Sequence, residues 1–247
     1  MNQITNLNWN IESLRITSFL KGDFVNTSME NWLKKLTGND PISVQKTNQL
    51  FQGLSPYDTG ILRLGHNSNR IDLLLNSAAP HISLSIGKLS ELNHLMQNSL
   101  FRYFSLEDCP TSVRLAIGVV LFFTVKDYDE GTSYLQSKLK SVSNIDGTTD
   151  LLFRINRPCI SKTNKDIKLN RLMTWSIGQM HVLKIPLTIG MSNQIQQNES
   201  ETVKNEMMCR LELDFNTVGS NDMTSELQKA FATELLLEAI NVAQKGE

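Results

Sequence analysis

The residue with the clearest chemical signal is Arg171. In the run IKLNRLMTWSI, Ile167, Leu169, Met173, Trp175 and Ile177 recur at every second position, and Arg171 falls on the same stripe. A guanidinium on a core-facing stripe must snorkel, pair or meet a ligand, because burying it alone is too costly. The preceding run DLLFRINRP alternates in the same way and carries Arg154 and Arg157. The polar segment 161–165 between the runs is turn-like, so 150–177 is predicted as a long β-hairpin. Asn-Arg occurs at Asn69-Arg70, Asn156-Arg157 and Asn170-Arg171. Guanidinium forks bind carboxylate or phosphate bidentately, which makes Arg171, Arg154, Arg157 and Arg70 the candidate anion-binding residues. The same residues have a structural reading: Arg70 pairs with Asp72 or another acid, and asparagines at strand ends make turn hydrogen bonds. A tight hairpin could set Arg154 nearly opposite Arg171, which is tolerable only with an anion or acid between them. The register is not determined by sequence.

Other chemistries find less support. His66, His81, His94 and His181 form no H-x-H, H-x-x-x-H or Cys–His spacing, so no metal site is expected. There is no G-x-S-x-G, no glycine-rich phosphate loop and no recognisable cysteine-nucleophile signature, so neither a cofactor nor a catalytic residue is expected. Cys159 follows Arg157-Pro158, where basic neighbours would lower its pKa; a half-buried loop cysteine is the plain alternative. The carboxylates at Glu107-Asp108, Asp127 and Asp129-Glu130 sit at element boundaries and read as helix caps. Trp32 and Trp175 read as core residues whose ring N–H groups need partners. Trp9 lies in a loose N-terminal segment and is the candidate interface anchor.

The elements that must position these residues follow from periodicity. Residues 12–20 alternate as a strand. Thr27-Ser-Met-Glu30 reads as a capping box before Met29, Trp32, Leu33 and Leu36, with Gly38 and Pro41 stopping the helix. Strands are predicted at 42–52, 60–65 and 70–76, then a helix at 86–104. Residues 113–125 are apolar on both faces, the mark of a strand inside its sheet. Asp127 or Asp129 caps a helix to about 141. The hairpin follows, its second arm reaching 185. Residues 190–205 are polar and aperiodic, predicted as a mobile loop with its core at 192–204. Residues 207–215 alternate again, and Asp222 or Thr224 caps a last helix with Leu227, Phe231, Leu235, Ala239 and Ile240 inward.

This order is βαβββα twice, in halves 1–108 and 109–247. The fold class expected is α+β: a duplicated unit with an antiparallel sheet or sheets, helices packed on one face, and the two halves forming one pseudo-two-fold unit. The outline is similar to duplicated saddles and tandem effector-binding modules, an analogy of fold only.

The 247 residues carry a net charge of −1 and an ordinary hydrophobic fraction of 40%. That balance makes no electrostatic case for nucleic acid or an anionic membrane. No apolar run has the length of a membrane helix, the N-terminus lacks the pattern of a signal peptide, and three scattered cysteines fit a reducing cytoplasm better than a disulfide scaffold. Four pieces, Trp32-Leu-Lys-Lys-Leu-Thr-Gly38 with Pro41, Arg70-Ile-Asp72, Ile155-Asn-Arg-Pro158 and Asn170-Arg-Leu-Met-Thr-Trp-Ser176, resemble a set of uncharacterised bacterial proteins. The resemblance implies a bacterial or phage-related cytosolic protein and brings no activity with it. The favoured expectation is a non-catalytic binding or assembly protein in a larger complex, with a protein partner or a second copy and no membrane. The alternatives are an enzyme with an arginine-lined groove for an anionic substrate, and a duplicated-saddle nucleic-acid binder, which the global charge disfavours.

Overall fold

The strand with two apolar faces lies inside the sheet. A computed structural model of the chain describes residues 9–22, 24, 28–58, 60–80, 83–142, 145, 147–184, 201–219 and 222–246, with backbone alone at 181–184 and 201–205. Its elements are β1 (Asn10–Leu20), α1 (Met29–Thr37), β2 (Ser43–Lys46), β3 (Leu50–Tyr57), β4 (Gly60–Asn67), β5 (Arg70–Ser77) and β6 (Gly87–Lys88). After α2 (Leu92–Asn98), flanked by 3-10 turns, come β7 (Ser112–Val125), α3 (Tyr128–Lys138), β8 (Leu152–Asn156), β9 (Cys159–Ile160), β10 (Lys168–Lys184), β11 (Glu201–Thr217) and α4 (Ser225–Lys245). The molecule is α+β, and the described residues form one 11-stranded sheet in the order β2-β3-β4-β5-β1-β7-β11-β10-β8; β6 pairs with β1, and β9 with β10. Every strand pairing is antiparallel. β7 has β1 on one side and β11 on the other, which is why it presents no polar face to a sheet edge.

The registers sort side chains onto two faces. On one, Leu14, Ile16, Leu73, Leu64, Ile117, Val119, Leu213 and Met173 are buried. The helices cover this face. α1 packs on β3, where Gly53 leaves room: a Cβ there would stand 2.7 Å from Leu33 Cδ2. α4 reaches Ser18 of β1 through Gln228, at 3.3 Å. Tyr134 of α3 stacks edge-on against Phe123 of β7 at 4.7 Å. Caps behave as their sequences require. Asp127 accepts from the Glu130 N–H at 2.9 Å, Glu130 accepts from the Lys126 N–H at 2.6 Å, and Thr224 accepts from the Leu227 N–H at 3.4 Å. Gly38 ends α1 in the left-handed conformation, φ 75°.

Several expectations are corrected. Trp9 is no exposed anchor: it is 1% exposed, its ring N–H donates to the Ala243 carbonyl at 3.1 Å, and it packs on Phe123, Tyr134 and Trp175. The apolar ring is worth more in the core than in solvent, and the end of α4 supplies the acceptor that a buried indole requires. The strand expected over 42–52 is two strands, β2 and β3, because the Thr47 hydroxyl accepts from the Gln49 and Leu50 N–H groups and turns the chain. The first half therefore has more strands than the three expected between its helices. The helix expected over 86–104 is interrupted, with only 92–98 α-helical. Ser28 is the N-cap of α1 and makes no side-chain cap bond; Thr27 lies outside the described residues. β11 begins at Glu201, paired to Lys184, so the strand claims the end of the segment expected as a loop. Residues 185–200, which include the rest of that expected loop at 190–200, lie outside the described residues, as do His81 and the side chain of His181. No helix among the described residues is long and apolar enough to cross a membrane.

Candidate functional site

The corner where the hairpin meets α4 is built on two carboxylates one helical turn apart. Arg171 shares the buried face of β10 with Leu169, Met173 and Trp175, and its side chain is only 22% exposed. Its Nε donates to the Arg157 carbonyl at 2.9 Å, and its Nη1 donates to Glu238 of α4 at 2.9 Å. Lys162 donates to the other oxygen of Glu238 at 2.7 Å. One turn earlier, Glu234 accepts from the Ser161 hydroxyl at 2.6 Å and from the backbone N–H groups of Lys162 and Thr163 at 2.6 and 3.1 Å. Burial by itself would raise both carboxyls. For Glu234, hydrogen bonds from Ser161, Lys162 and Thr163 outweigh it; for Glu238, the bonds and charges of Lys162 and Arg171 do so. Both are held below the ordinary glutamate value. Arg157 donates to the Ser141 hydroxyl at 2.5 Å. This corner clamps the hairpin tip to α4, and Arg171 already has a carboxylate.

Cys159, at the same corner, departs from expectation. Burial pushes its thiol up, and the pull of Arg171 is opposed by Glu238 and Glu234. A thiol held protonated is a poor nucleophile. Burial likewise pushes the Cys109 and Cys209 thiols up, to about 12.

The opposite face of the sheet carries no helix among the described residues. Row by row, the registers align Arg70 of β5, Phe19 of β1 and Arg114 of β7; then Gly65, Asp72, Thr17, Ala116 and Asn216; then Arg63, Leu74, Arg15, Gly118, Asp214 and Leu172; then Asn76, Ser13, Val120, Glu212, Thr174 and Arg154. Arg70 grips Asp72 through two nitrogens, at 2.8 and 2.7 Å, and the Thr17 hydroxyl donates to the same carboxylate at 2.6 Å. Arg15 reaches across Gly118 to Asp214 at 3.3 Å. Arg210 is held by Glu12, at 2.8 and 3.1 Å, and by Glu212. Arg63 and Arg154 are exposed and make no ion pair among the described residues. A recess of about 340 Å³ opens beside Glu12, Ser13, Leu74 and Asn76.

The structure therefore separates the arginines that the sequence analysis grouped. Arg171 and Arg157 belong to the helix-covered side of the corner, with Arg157 N–H donating to the Arg171 carbonyl at 3.1 Å. Arg154 opposes Thr174, not Arg171, and faces away on the open side. Arg70 is in the other half of the sheet, paired to Asp72 as its structural reading requires. Sequence reasoning missed Arg15, Phe19, Arg114 and Arg210 as a set. Their parity was legible, since each lies opposite to a buried stripe; only the pairing of β5, β1, β7 and β11 brings them onto one surface. Among the described residues no cluster of His, Cys, Asp and Glu is arranged to hold a metal ion. No protein-family model and no curated protein matches this sequence.

Proposed function

We propose that the chain is a non-catalytic binding or assembly protein that docks a protein partner on the helix-free face of its sheet. The observation that carries this reading is the composition of that face. Apolar Phe19, Leu74, Val120 and Leu172 are partly exposed among arginines and amides, and Leu152 on the edge strand β8 is 69% exposed. Aromatic and arginine side chains are what protein interfaces concentrate, because each offers a large contact area together with directional hydrogen bonds. The ion pairs on the face hold several of these arginines in place, which lowers the entropy lost on docking.

The scaffold reading goes with it. The halves 1–108 and 109–247 each run from a strand into a helix, through antiparallel strands, to a closing helix. Their first strands, β1 and β7, pair antiparallel at Ile16 and Ile117, and the last long strand of each half, β5 or β11, flanks its first. A duplicated pseudo-two-fold unit accounts for this order. Such a unit yields a wide sheet face with no helix on one side. The resemblance of its short motifs to bacterial proteins, together with free thiols at Cys109, Cys159 and Cys209, supports a place in a cytoplasmic bacterial or phage-related assembly.

Site-specific photo-crosslinking in the native host tests the reading. A photoreactive residue at Leu152, Thr174 or Arg63 on the open face should capture a discrete partner, or a second copy, whereas one at Leu237 on the outer side of α4 should not. Crosslinks from Leu237 alone would overturn it.

A further inference from the structure

One row of the open face differs from the rest in charge balance. Phe19 stands between Arg70 and Arg114 in the strand register, with the guanidinium carbons 5.6 and 4.9 Å from its ring centroid. The two cations are satisfied differently. Arg70 has Asp72, which it holds through two nitrogens. Arg114 donates to the Asn216 amide oxygen at 3.1 Å and has no acid within ion-pair distance among the described residues. Its Nε is shielded from solvent without an acceptor. The stacking on Phe19 and the bond to Asn216 fix the plane of the Arg114 fork. The neighbouring Thr17 and Ala116 are small, so the floor beside it is low.

Resting on the docking-face reading above, we infer that the Arg70–Phe19–Arg114 row is a carboxylate-binding site for an acidic segment of the protein partner. A fixed guanidinium whose charge is compensated by no acid among the described residues binds a planar carboxylate with little loss of side-chain freedom. The stack on Phe19 keeps the cation in place before the anion arrives. The acids nearby favour a peptide over a nucleic acid. Asp72 lies beside this row, and Glu12, Asp214 and Glu212 lie further along the same face. They repel a continuous phosphate backbone, whereas a single acidic side chain needs only the local cation. Exposed aromatic platforms for stacked bases are also lacking beyond Phe19 on this row.

The test is fluorescence anisotropy of the full chain with a fluorescein-labelled hexaglutamate peptide at about 50 mM salt, where screening is weak. Saturable binding is expected, stronger than for a hexaalanine peptide, and weakened by about tenfold in Arg114→Gln, as loss of a charge-assisted fork requires. Phe19→Leu, which keeps both arginines but removes the ring face, should also weaken it. Lys229→Gln, on the exposed side of α4 and away from the open face, should leave it unchanged. Thermal melts establish that each variant is folded; if Arg114→Gln is not, Arg114→Lys, which keeps charge and loses the fork, takes its place with the same expected direction. Binding that ignores both Arg114 and Phe19 overturns the site. So does an oligothymidylate that binds more tightly than hexaglutamate through these residues. If open-face crosslinks persist while hexaglutamate binds no better than hexaalanine, the carboxylate site is wrong and the docking face stands. Crosslinks from Leu237 alone would remove the docking face, and this site with it.

Discussion

Arg171 and Glu238 meet at 2.9 Å across the seam between β10 and α4, and each is mostly withdrawn from water, at 22% and 13% side-chain exposure. Their contact resolves what a guanidinium is doing on an apolar stripe. Arg171→Met removes the cation and leaves Glu238 in a desolvated position with only Lys162, which is itself exposed. Because the pair is partly solvated, the expected cost is about 2–3 kcal/mol, below the full penalty for an isolated buried charge. Lys162→Met should shift stability less, since that cation is fully solvated. Chemical denaturation of both variants checks the order; equal and negligible effects would show that the seam is not held by this pair.

Acid should loosen the same seam. Glu234 and Glu238 titrate below the ordinary glutamate value of 4.5 in the folded chain. A carboxyl with a depressed folded pKa contributes stability that is fully present above its unfolded value and disappears as pH falls through its folded value. Melting temperature should therefore fall from about pH 5 downward through both depressed values. The double variant Glu234→Gln with Glu238→Gln should be less stable at neutral pH and show a shallower decline in that window. A parallel decline in wild type and variant would assign the acid sensitivity elsewhere.

Local pattern carried the elements further than it carried their assembly. The two apolar faces of 113–125 already demanded neighbours on both sides, and β1 and β11 are those neighbours. The parity of Arg171 with Met173 and Trp175 likewise fixed its face. Register between distant segments has no local signature: Phe19 meets Arg114 only because β1 pairs with β7, and nothing within either strand encodes that partner. Trp9 was misread because position near the N-terminus and an aperiodic neighbourhood say nothing of a tertiary acceptor 234 residues away, the Ala243 carbonyl. The start of β11 was hidden for a related reason. Backbone pairing with β10 can hold a polar strand at Glu201 without any apolar alternation to announce it.

Trp9 offers a direct check on that correction. As a core residue packed against Phe123, Tyr134 and Trp175, its removal leaves a large void. Trp9→Ala should cost about 3–5 kcal/mol, the range for emptying a buried aromatic site. An unchanged denaturation midpoint, with any defect confined to partner capture, would return Trp9 to the surface role first expected of it.

Gly118 is the crossing point for Arg15. A Cβ at that position would lie 3.1 Å from Arg15 Nε, 3.2 Å from its Cβ and 3.4 Å from its Cζ. The arginine passes over the bare backbone of β7 to reach Asp214 on β11. Gly118→Val should lift Arg15 away from Asp214 while leaving the strand intact, since a β-branched residue suits a sheet. The ion pair is partly exposed, at 35% and 46%, so its own worth is at most about 0.5–1 kcal/mol. The informative quantity is therefore coupling. In a double-mutant cycle, Asp214→Asn should cost measurably more in the native background than alongside Gly118→Val. Strict additivity would mean that Arg15 reaches Asp214 without needing the glycine. The expected non-additivity would identify Gly118 as the residue that lets one strand's cation serve another strand's acid across the face where we place the partner.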